Sequence, residues 1–214
     1  MRRTPVVVTD IIEVTKAKSR VFLDGEFAFV LYKGELRLYK LRKGEEVLEE
    51  TVDEIFNRVL PKRAKKRSLM LLEKRDYTEM ELRRKLQDGE YPQKAIDEAI
   101  DYVKSFRYID DERYCRAYIN CYASKWSKQQ ITMKLLAKGV DKHLAHAIYE
   151  ELLQEGQLAC NEEELIQEIL RKKQYNPQST DYKQRQKLYQ HLLYKGFSME
   201  QIKHVLGEYT NDFS

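Results

Sequence analysis

Three segments of the chain share one pattern of apolar residues and a glycine. They read LRRKLQDGEY (82–91), ITMKLLAKGV (131–140) and LYQHLLYKGF (188–197). Each has an apolar residue, a leucine four positions later, a glycine, and then an apolar or aromatic residue. The i, i+4 spacing places both apolar groups on one helix face, and glycine favours a left-handed helix end. Each segment therefore predicts a helix that ends in a turn.

The similarity continues beyond each turn, where apolar residues recur at equal offsets and predict a second amphipathic helix. The equivalent leucines Leu86, Leu135 and Leu192 are 49 and 57 residues apart, which leaves room for one further helix in each repeat. Repetition at this period is typical of modular helical arrays. We predict a mainly α fold with three tandem three-helix repeats in an elongated curved array.

The residues before the repeats predict a small β-rich segment. RVFLDGEFAFVLYKGELRLYKL (20–41) alternates β-branched and aromatic residues around Asp24-Gly25, a strong signal for a two-residue hairpin. A second turn at Lys33-Gly34 followed by spaced leucines predicts a third strand. Residues 47–60 predict a helix, and Pro61 marks either its end or the start of the next element. The expected domains are the N-terminal segment 1–60 and the repeats 61–110, 111–158 and 159–214.

Composition predicts a cytoplasmic protein that does not contact a membrane. The chain of 214 residues is 42% apolar, but no stretch approaches the length of a membrane span, and the apolar run near the N-terminus is too short for a secretory signal. Cys115, Cys121 and Cys160 form no CxxC pair, so we expect buried thiols instead of disulfides. We also expect a monomer without a cofactor.

The positive charge of the chain is concentrated in the first repeat. Residues 61–90 hold ten basic and six acidic side chains, whereas the rest of the chain is balanced. The runs KRAKKR (62–67) and RRK (83–85) create a local field that favours phosphate binding. The alternative is that these residues form only the solvated surface of two helices.

Candidate contacts with nucleic acid come from all three repeats. Trp126 lies between Lys125 and Lys128, and an aromatic ring beside cations suits stacking on a nucleobase, although most tyrosines occupy helix-packing positions. The full candidate set is Lys62, Arg63, Lys65, Lys66, Arg67, Arg83, Arg84, Lys85, Lys125, Trp126, Lys128, Lys134, Lys138, Arg171, Lys172 and Lys173.

No catalytic or metal-binding constellation is evident in the sequence. YIDDERY (108–114) is acidic enough to suggest a divalent metal, but aspartates at a helix start more often accept backbone hydrogen bonds. His143 and His146 have ligand spacing without a matching third ligand. The chain also lacks GxxxxGK[ST], GxGxxG and GxSxG motifs, so the commonest signals for nucleotide hydrolysis and acyl transfer are missing.

The sequence resembles the RecX family, the bacterial regulators of the RecA recombinase. Four stretches carry the resemblance in order and spacing: EKRDYTEMELRRKL (73–86), FRYIDDERYCRAYI (106–119), MKLLAKGVD (133–141) and KLYQHLLYKGFSMEQIKHVL (187–206). Together they anchor about residues 62–210. The β-rich N-terminus resembles an extra segment that some members carry.

The resemblance implies a protein without enzymatic activity that binds along the groove of a RecA filament on single-stranded DNA. It would lower the ATPase and strand-exchange activities of that filament, with duplex DNA as a further partner. A different hypothesis is a direct DNA-binding regulator, because consecutive three-helix units resemble tandem helix-turn-helix modules. A metal-dependent nuclease that uses Asp110 is a third hypothesis.

Overall fold

The computed structural model describes residues 5–158, 162–178 and 180–207. The chain divides into two compact units, Met1–Asp110 and Asp111–Ser214. The N-terminal unit holds a small sheet and the first repeat, and the C-terminal unit holds the second and third repeats. The described residues contain no helix that is long and apolar enough to cross a membrane.

The N-terminal unit begins with an antiparallel sheet whose strand order is β3-β2-β1-β4. Its strands are β1 (Val6–Thr15), β2 (Lys18–Leu23), β3 (Glu26–Tyr32) and β4 (Glu46–Val47). The predicted hairpin is confirmed, because Leu23 pairs with Glu26 across a two-residue turn. Asp24 and Gly25 both have positive φ, 49° and 90°, as a hairpin turn of this type requires.

Two predictions for this region were wrong. The segment after Lys33-Gly34 is the short helix α1 (Lys33–Leu38) instead of a third strand. Tyr32 precedes this helix, and its amide donates to Glu35 Oε2 at 2.8 Å, which satisfies a backbone donor at the helix start. The first strand was also missed, although VVVTDIIEVT is rich in the β-branched residues that favour strands.

The helices of the N-terminal unit begin with one continuous helical run. They are α2 (Glu49–Glu54), a π-helical turn (Ile55–Val59), α3 (Leu60–Leu72), α4 (Glu79–Gln87) and α5 (Gln93–Ser105). The predicted break at Pro61 does not occur. A π turn lets the helix continue because it rearranges the backbone hydrogen bonds just before Pro61, which has no amide hydrogen to donate.

One hydrophobic core joins the sheet to the first repeat. The leucines of the repeated pattern, Leu82 and Leu86, are fully buried and belong to the same cluster as Phe29 and Leu31 of β3. Ile55 from the π turn is also fully buried in this cluster. The strands are therefore part of the folded core of the N-terminal unit.

The C-terminal unit contains two three-helix repeats with separate cores. Its helices are α6 (Asp111–Tyr122), α7 (Lys128–Ala137), α8 (Lys142–Gln154), α9 (Glu162–Lys172), α10 (Tyr182–Tyr194) and α11 (Met199–Leu206). Leu135 and Leu152 are fully buried in the second repeat, and Leu192 and Ile202 are fully buried in the third. The predicted helical faces are confirmed, except that Tyr209 lies outside the described residues.

The turns after α4, α7 and α10 close by the same backbone hydrogen bond. The amides of Tyr91, Val140 and Phe197 each donate to the carbonyl of the leucine five residues earlier, at 3.0–3.3 Å. Gly139 and Gly196 have the expected positive φ, 88° and 81°. In the first repeat the left-handed residue is Glu90 (φ 58°), so the prediction that Gly89 occupies this position was wrong.

The second and third repeats meet at a polar junction next to Ser127. Ser127 is fully buried, its hydroxyl donates to the carbonyl of Lys195 at 2.6 Å, and it accepts from the amide of Gln130. Glu162 accepts from the amide of Lys128 at 2.7 Å and from Gln201 Nε2 at 2.7 Å. The residue that caps α7 therefore also bonds to the turn that follows α10.

Candidate nucleic-acid interface

A basic groove of about 780 Å³ lies between the sheet and the first repeat. We call it the α3 groove. Its lining comes from β2, the end of β3, the outer face of α3 and the turn between α4 and α5. The lining residues are Lys18, Tyr32, Arg63, Lys66, Arg67, Met70, Lys85, Asp88, Gly89 and Tyr91. The groove therefore brings together four of the predicted basic residues and adds Lys18, which sequence reasoning missed.

Three of these cations have no carboxylate partner. Lys18, Lys66 and Arg67 form no ion pair with any residue in the described part of the chain. Lys85 forms an exposed ion pair with Asp88 at 3.3 Å. Asp88 is the only acidic residue in the groove lining given above. Exposed pairs of this kind are weak and are screened by salt. The groove therefore has a net positive field directed toward solvent.

Arg63 holds one wall of the groove in place. Only 13% of its side chain is exposed, and Nη1 donates to the carbonyl of Val30 at 2.9 Å and to Glu35 Oε2 at 3.1 Å. Its guanidinium lies 4.3 Å from the centre of the Tyr32 ring. Arg63 was predicted as a ligand contact, but its geometry gives it a positioning role between α3 and the sheet.

Arg83 is already occupied by carboxylates. It bonds to Glu79 at 2.8 Å and to Asp97 at 2.6 Å, and Glu79 also accepts from Lys104 at 2.7 Å. Burial raises the pKa of Glu79, but the hydrogen bonds from Lys104 and Arg83 outweigh burial and lower the pKa overall. Arg83 thus links α4 to α5, and its charge is largely compensated within the first repeat.

An aromatic ladder runs along α6 and into the turn that follows it. Tyr114, Tyr118, Tyr122 and Trp126 are each partly buried against the core of the second repeat. Consecutive ring centres are 6.1, 4.6 and 4.1 Å apart, and the rings of Tyr122 and Trp126 are parallel within 2°. This geometry confirms the packing role expected for Tyr118 and Tyr122.

Two predicted lysines of α7 cover this ladder. Lys134 Nζ lies 4.7 Å from the centre of the Trp126 ring, and Lys138 Nζ lies 5.7 Å and 5.9 Å from the rings of Tyr114 and Tyr118. A cation held over an aromatic face is stabilised by the ring quadrupole. One face of the Trp126 ring therefore stacks on Tyr122, and Lys134 approaches the same ring. A nucleobase could stack on Trp126 only after these side chains rearrange.

A second basic groove of about 480 Å³ lies between the second and third repeats. We call it the junction groove. Its ionisable side chains are Lys125, Glu168, Lys172, Lys173, His191 and Lys195. Lys172 pairs with Glu168 at 2.6 Å. Burial lowers the pKa of His191, and the charges of Lys173 and Lys195 lower it further, so this histidine is neutral at physiological pH.

The other predicted basic residues do not join these grooves. Lys128 pairs with Glu150 and lies over the Tyr149 ring, so it links α7 to α8. Lys62 and Lys65 line a shallower depression of about 420 Å³ with Tyr102, and Lys65 contacts Glu98 at 3.4 Å. Arg84 and Arg171 lie exposed on the surfaces of α4 and α9.

The acidic, histidine and cysteine candidates have ordinary structural positions. Asp111 and Glu112 lie in the first turn of α6, as expected for acidic residues at a helix start. His143 is exposed near the start of α8, and no group of three potential metal-ligating side chains occurs within the described ranges. Cys115 is buried but Cys121 is exposed, so the expectation of a buried thiol was wrong for Cys121, and Cys160 lies outside the described residues.

Some interface residues were missed for identifiable reasons. Lys195 occupies the same repeat position as Lys138, three residues after the buried leucine, and the repeat alignment alone would have identified it. Lys18 and Tyr32 lie 42 and 28 residues before the first residue of α3, Leu60, and nothing in their local sequence signals a groove. Only the packing of the sheet against α3 brings them to Lys66 and Arg67.

Comparisons with known proteins match the repeats and the complete chain. Models of the RecX family match residues 64–102 as its first three-helix domain, 110–147 as its second and 161–206 as its third. The Regulatory protein RecX of Caldanaerobacter subterraneus subsp. tengcongensis is 29% identical over 204 residues, which cover 94% of this chain and 99% of that protein. The Regulatory protein RecX of Clostridium beijerinckii is 32% identical over 205 residues, which cover 92% and 94%.

A solved structure supports the fold. The crystal structure of a regulatory protein RecX aligns with a TM-score of 0.57 at 22% identity, and the alignment covers 95% of this chain and 99% of that one. At this identity the likeness concerns the arrangement of helices and strands. The family models begin at residue 64, so β1 to β4 and three of the ten lining residues of the α3 groove, Lys18, Tyr32 and Arg63, lie outside them.

Proposed function

Because this chain belongs to the RecX family, we propose that it binds RecA filaments on single-stranded DNA and inhibits their ATPase and strand-exchange activities. It acts in the cytoplasm as a monomer, by occupying its partner and without catalysing a reaction of its own. The observation that carries this proposal is the match of all three tandem repeats to the family, in order, over residues 64–206.

The charge distribution of both compact units supports binding to a polyanionic filament. The α3 groove offers the unpaired cations Lys66 and Arg67, and the junction groove gathers Lys125, Lys173 and Lys195. Cations on such surfaces contact phosphates and release counterions, so they add affinity without reading a base sequence. Because the contacts are spread over several repeats, the total affinity depends on several repeats binding the filament at the same time.

Inhibition requires more than binding. A ligand changes the activity of a filament only when it binds one conformational state more tightly than another. A chain that contacts neighbouring recombinase subunits at several repeats meets this condition, because the distances between its contacts fit only one spacing of the subunits. The filament is then held in a state with slow ATP hydrolysis.

The test is the DNA-dependent ATP hydrolysis of a bacterial RecA, measured with this protein below and above the filament's monomer concentration. Hydrolysis should fall and strand exchange should stop, whereas the protein alone should hydrolyse no ATP. The double variant Lys66→Glu/Arg67→Glu should inhibit less than the wild type. The matched control is Lys74→Glu, which reverses an exposed charge just beyond the end of α3 and outside the α3 groove.

The proposal is refuted if a saturating concentration of this protein leaves both RecA activities unchanged. A footprint at a defined duplex sequence in the same preparation would then favour the direct DNA-binding regulator. Binding to duplex DNA with no preferred site would not, because phosphate contacts alone produce it.

A further inference from the structure

We propose that the N-terminal sheet is part of a nucleic-acid binding site, in which Lys18 and Tyr32 complete the α3 groove and Lys18 contacts the phosphodiester backbone of a single strand. Neither the sheet nor Lys18 lies within the matched family domains, which begin at residue 64. The inference rests on the proposed function in one respect, that nucleic acid is a ligand of this protein.

The groove is positive because cations from two different structural elements converge there. Lys66 and Arg67 are exposed on the outer face of α3, and Lys18 approaches from the start of β2. None of the three is neutralised by a carboxylate in the described part of the chain, and the one acid of the lining, Asp88, is shared with Lys85. Without the sheet, the groove would lose one wall and one of its three unpaired cations.

The position of Lys18 is held by a series of contacts to the first repeat. Lys18 Nζ lies 5.2 Å from the centre of the Tyr32 ring, and the same ring lies 4.3 Å from the guanidinium of the largely buried Arg63. Arg20, two residues along β2, makes a two-point ion pair with Glu90 at 2.6 and 3.0 Å. Since Arg63 and Glu90 both belong to the first repeat, the sheet and the repeat present their cations as one surface.

The lining favours a phosphate backbone over an acidic protein surface. Seven of its ten residues are cationic or aromatic, and the other three are Met70, Asp88 and Gly89. The centre of a protein interface, in contrast, is largely apolar and poor in charge. A groove of about 780 Å³ is also larger than one phosphate group requires, so it suits several consecutive nucleotides of a flexible strand. Tyr32 is 40% exposed, and its edge is available to a sugar or base.

The experiment measures binding of a fluorescently labelled oligothymidylate to the full chain by anisotropy, in 50 to 200 mM NaCl and without any recombinase. Lys18→Ala should weaken binding at low salt and reduce the slope of log K against log salt by about 0.7, the value for one phosphate contact with a single strand. Lys66→Ala should behave in the same way. Lys74→Ala, which removes an exposed cation outside the groove, should leave affinity and slope near the wild-type values.

Calorimetric titration with sodium pyrophosphate distinguishes a nucleic-acid backbone from a free phosphate. Pyrophosphate should bind much more weakly than the oligonucleotide at equal ionic strength. The proposal is overturned if Lys18→Ala retains the wild-type salt slope while Lys66→Ala reduces that slope. It is also overturned if Lys18→Ala weakens the binding of pyrophosphate but not that of the oligonucleotide. An acidic protein is the ligand if Lys18→Ala weakens RecA inhibition but leaves oligonucleotide binding unchanged.

The outcomes also separate this inference from the proposed function. A protein that inhibits RecA normally, but whose oligonucleotide binding ignores Lys18, refutes only the role of the sheet. A protein that binds oligonucleotides through Lys18 and leaves RecA untouched refutes only the filament proposal. Circular dichroism of each variant should show that the fold is retained, because neither Lys18 nor Lys66 is buried.

Discussion

Replacement of Gly196 by alanine tests the junction between the second and third repeats. Gly196 has φ +81°, and a Cβ added there would lie 2.8 Å from Ser127 Oγ and 3.2 Å from Gln129 Cβ. Gly156 is the matched control, because it has φ +65° and open space around an added Cβ. Both variants therefore carry left-handed backbone strain, but only Gly196→Ala also disturbs the junction.

The expected magnitudes follow from these two effects. A left-handed conformation costs an alanine about 1–2 kcal/mol, so Gly156→Ala should lower the free energy of unfolding by about that amount. In Gly196→Ala the buried hydroxyl of Ser127 must also move, which breaks its 2.6 Å bond to the carbonyl of Lys195. An interrupted buried hydrogen bond costs about 1–3 kcal/mol, so Gly196→Ala should lower the free energy of unfolding by about 2–5 kcal/mol.

Urea denaturation followed by tryptophan fluorescence is a suitable assay. Trp126 is the only tryptophan of the chain and directly precedes Ser127, so its emission reports on the second repeat and not on the N-terminal unit. Combining Gly196→Ala with Ser127→Ala should give less destabilisation than the sum of the two single changes, because the clash partner is gone. Gly156→Ala should be additive with Ser127→Ala.

Equal destabilisation by Gly196→Ala and Gly156→Ala, within about 0.5 kcal/mol, would refute the described junction, since independent sites add to about that precision. Full additivity in the Ser127→Ala background would refute the contact between residue 196 and Ser127. A larger effect of Gly196→Ala without coupling to Ser127 would instead assign the strain to Gln129.

Two further predictions concern titration and thiol chemistry. The pKa of Glu79 is lowered in the folded state, so its contribution to stability is present above its unfolded pKa and is lost as the pH falls through the folded value. Glu79→Gln should therefore lower the urea midpoint of the N-terminal unit at pH 7 but have little effect at pH 3, as measured by circular dichroism; an equal effect at both pH values would contradict the Arg83 network. Burial raises the pKa of Cys115 to about 11, whereas Cys121 is exposed. The number of thiols that react rapidly with dithionitrobenzoate at pH 8 should fall by one in Cys121→Ser and stay unchanged in Cys115→Ser. The reverse result would contradict the positions of these side chains on α6.

The repeats could be predicted from sequence because their information is local and periodic. Leu82 and Leu86 mark a buried helical face, and Thr78 marks its start with a capping box to Glu81, all within nine residues. The strand β1 was recoverable from its β-branched run. The helix α1 was not, because GELRLYKL has apolar residues at a spacing that suits either a strand or a short helix.

The candidate site could be predicted only in part, because charge is visible in sequence but pairing is not. Lys66 and Arg83 both belong to basic runs, yet Lys66 has no ion pair within the part of the chain that the structure describes. Arg83 bonds to two carboxylates, one of them fourteen residues away on α5. Lys128 is likewise compensated by Glu150. A run of basic residues therefore gives the place of a positive field, and the fold decides which of its members remain available to a ligand.

The first repeat shows how the fold compensates for a missing cation. Three residues after the buried leucine, the second and third repeats carry Lys138 and Lys195, whereas the first carries Gly89. A Cβ at Gly89 would lie 3.0 Å from the ring of Tyr91 and 3.2 Å from the carbonyl of Leu86, so a lysine there would crowd the tyrosine that lines the α3 groove. The glycine lets Tyr91 pack against the turn, and the groove receives its additional cation from the sheet, as Lys18. Under the proposal that this groove binds a single strand, a first repeat without the sheet would present a weaker positive field, and Lys18→Ala measures that difference.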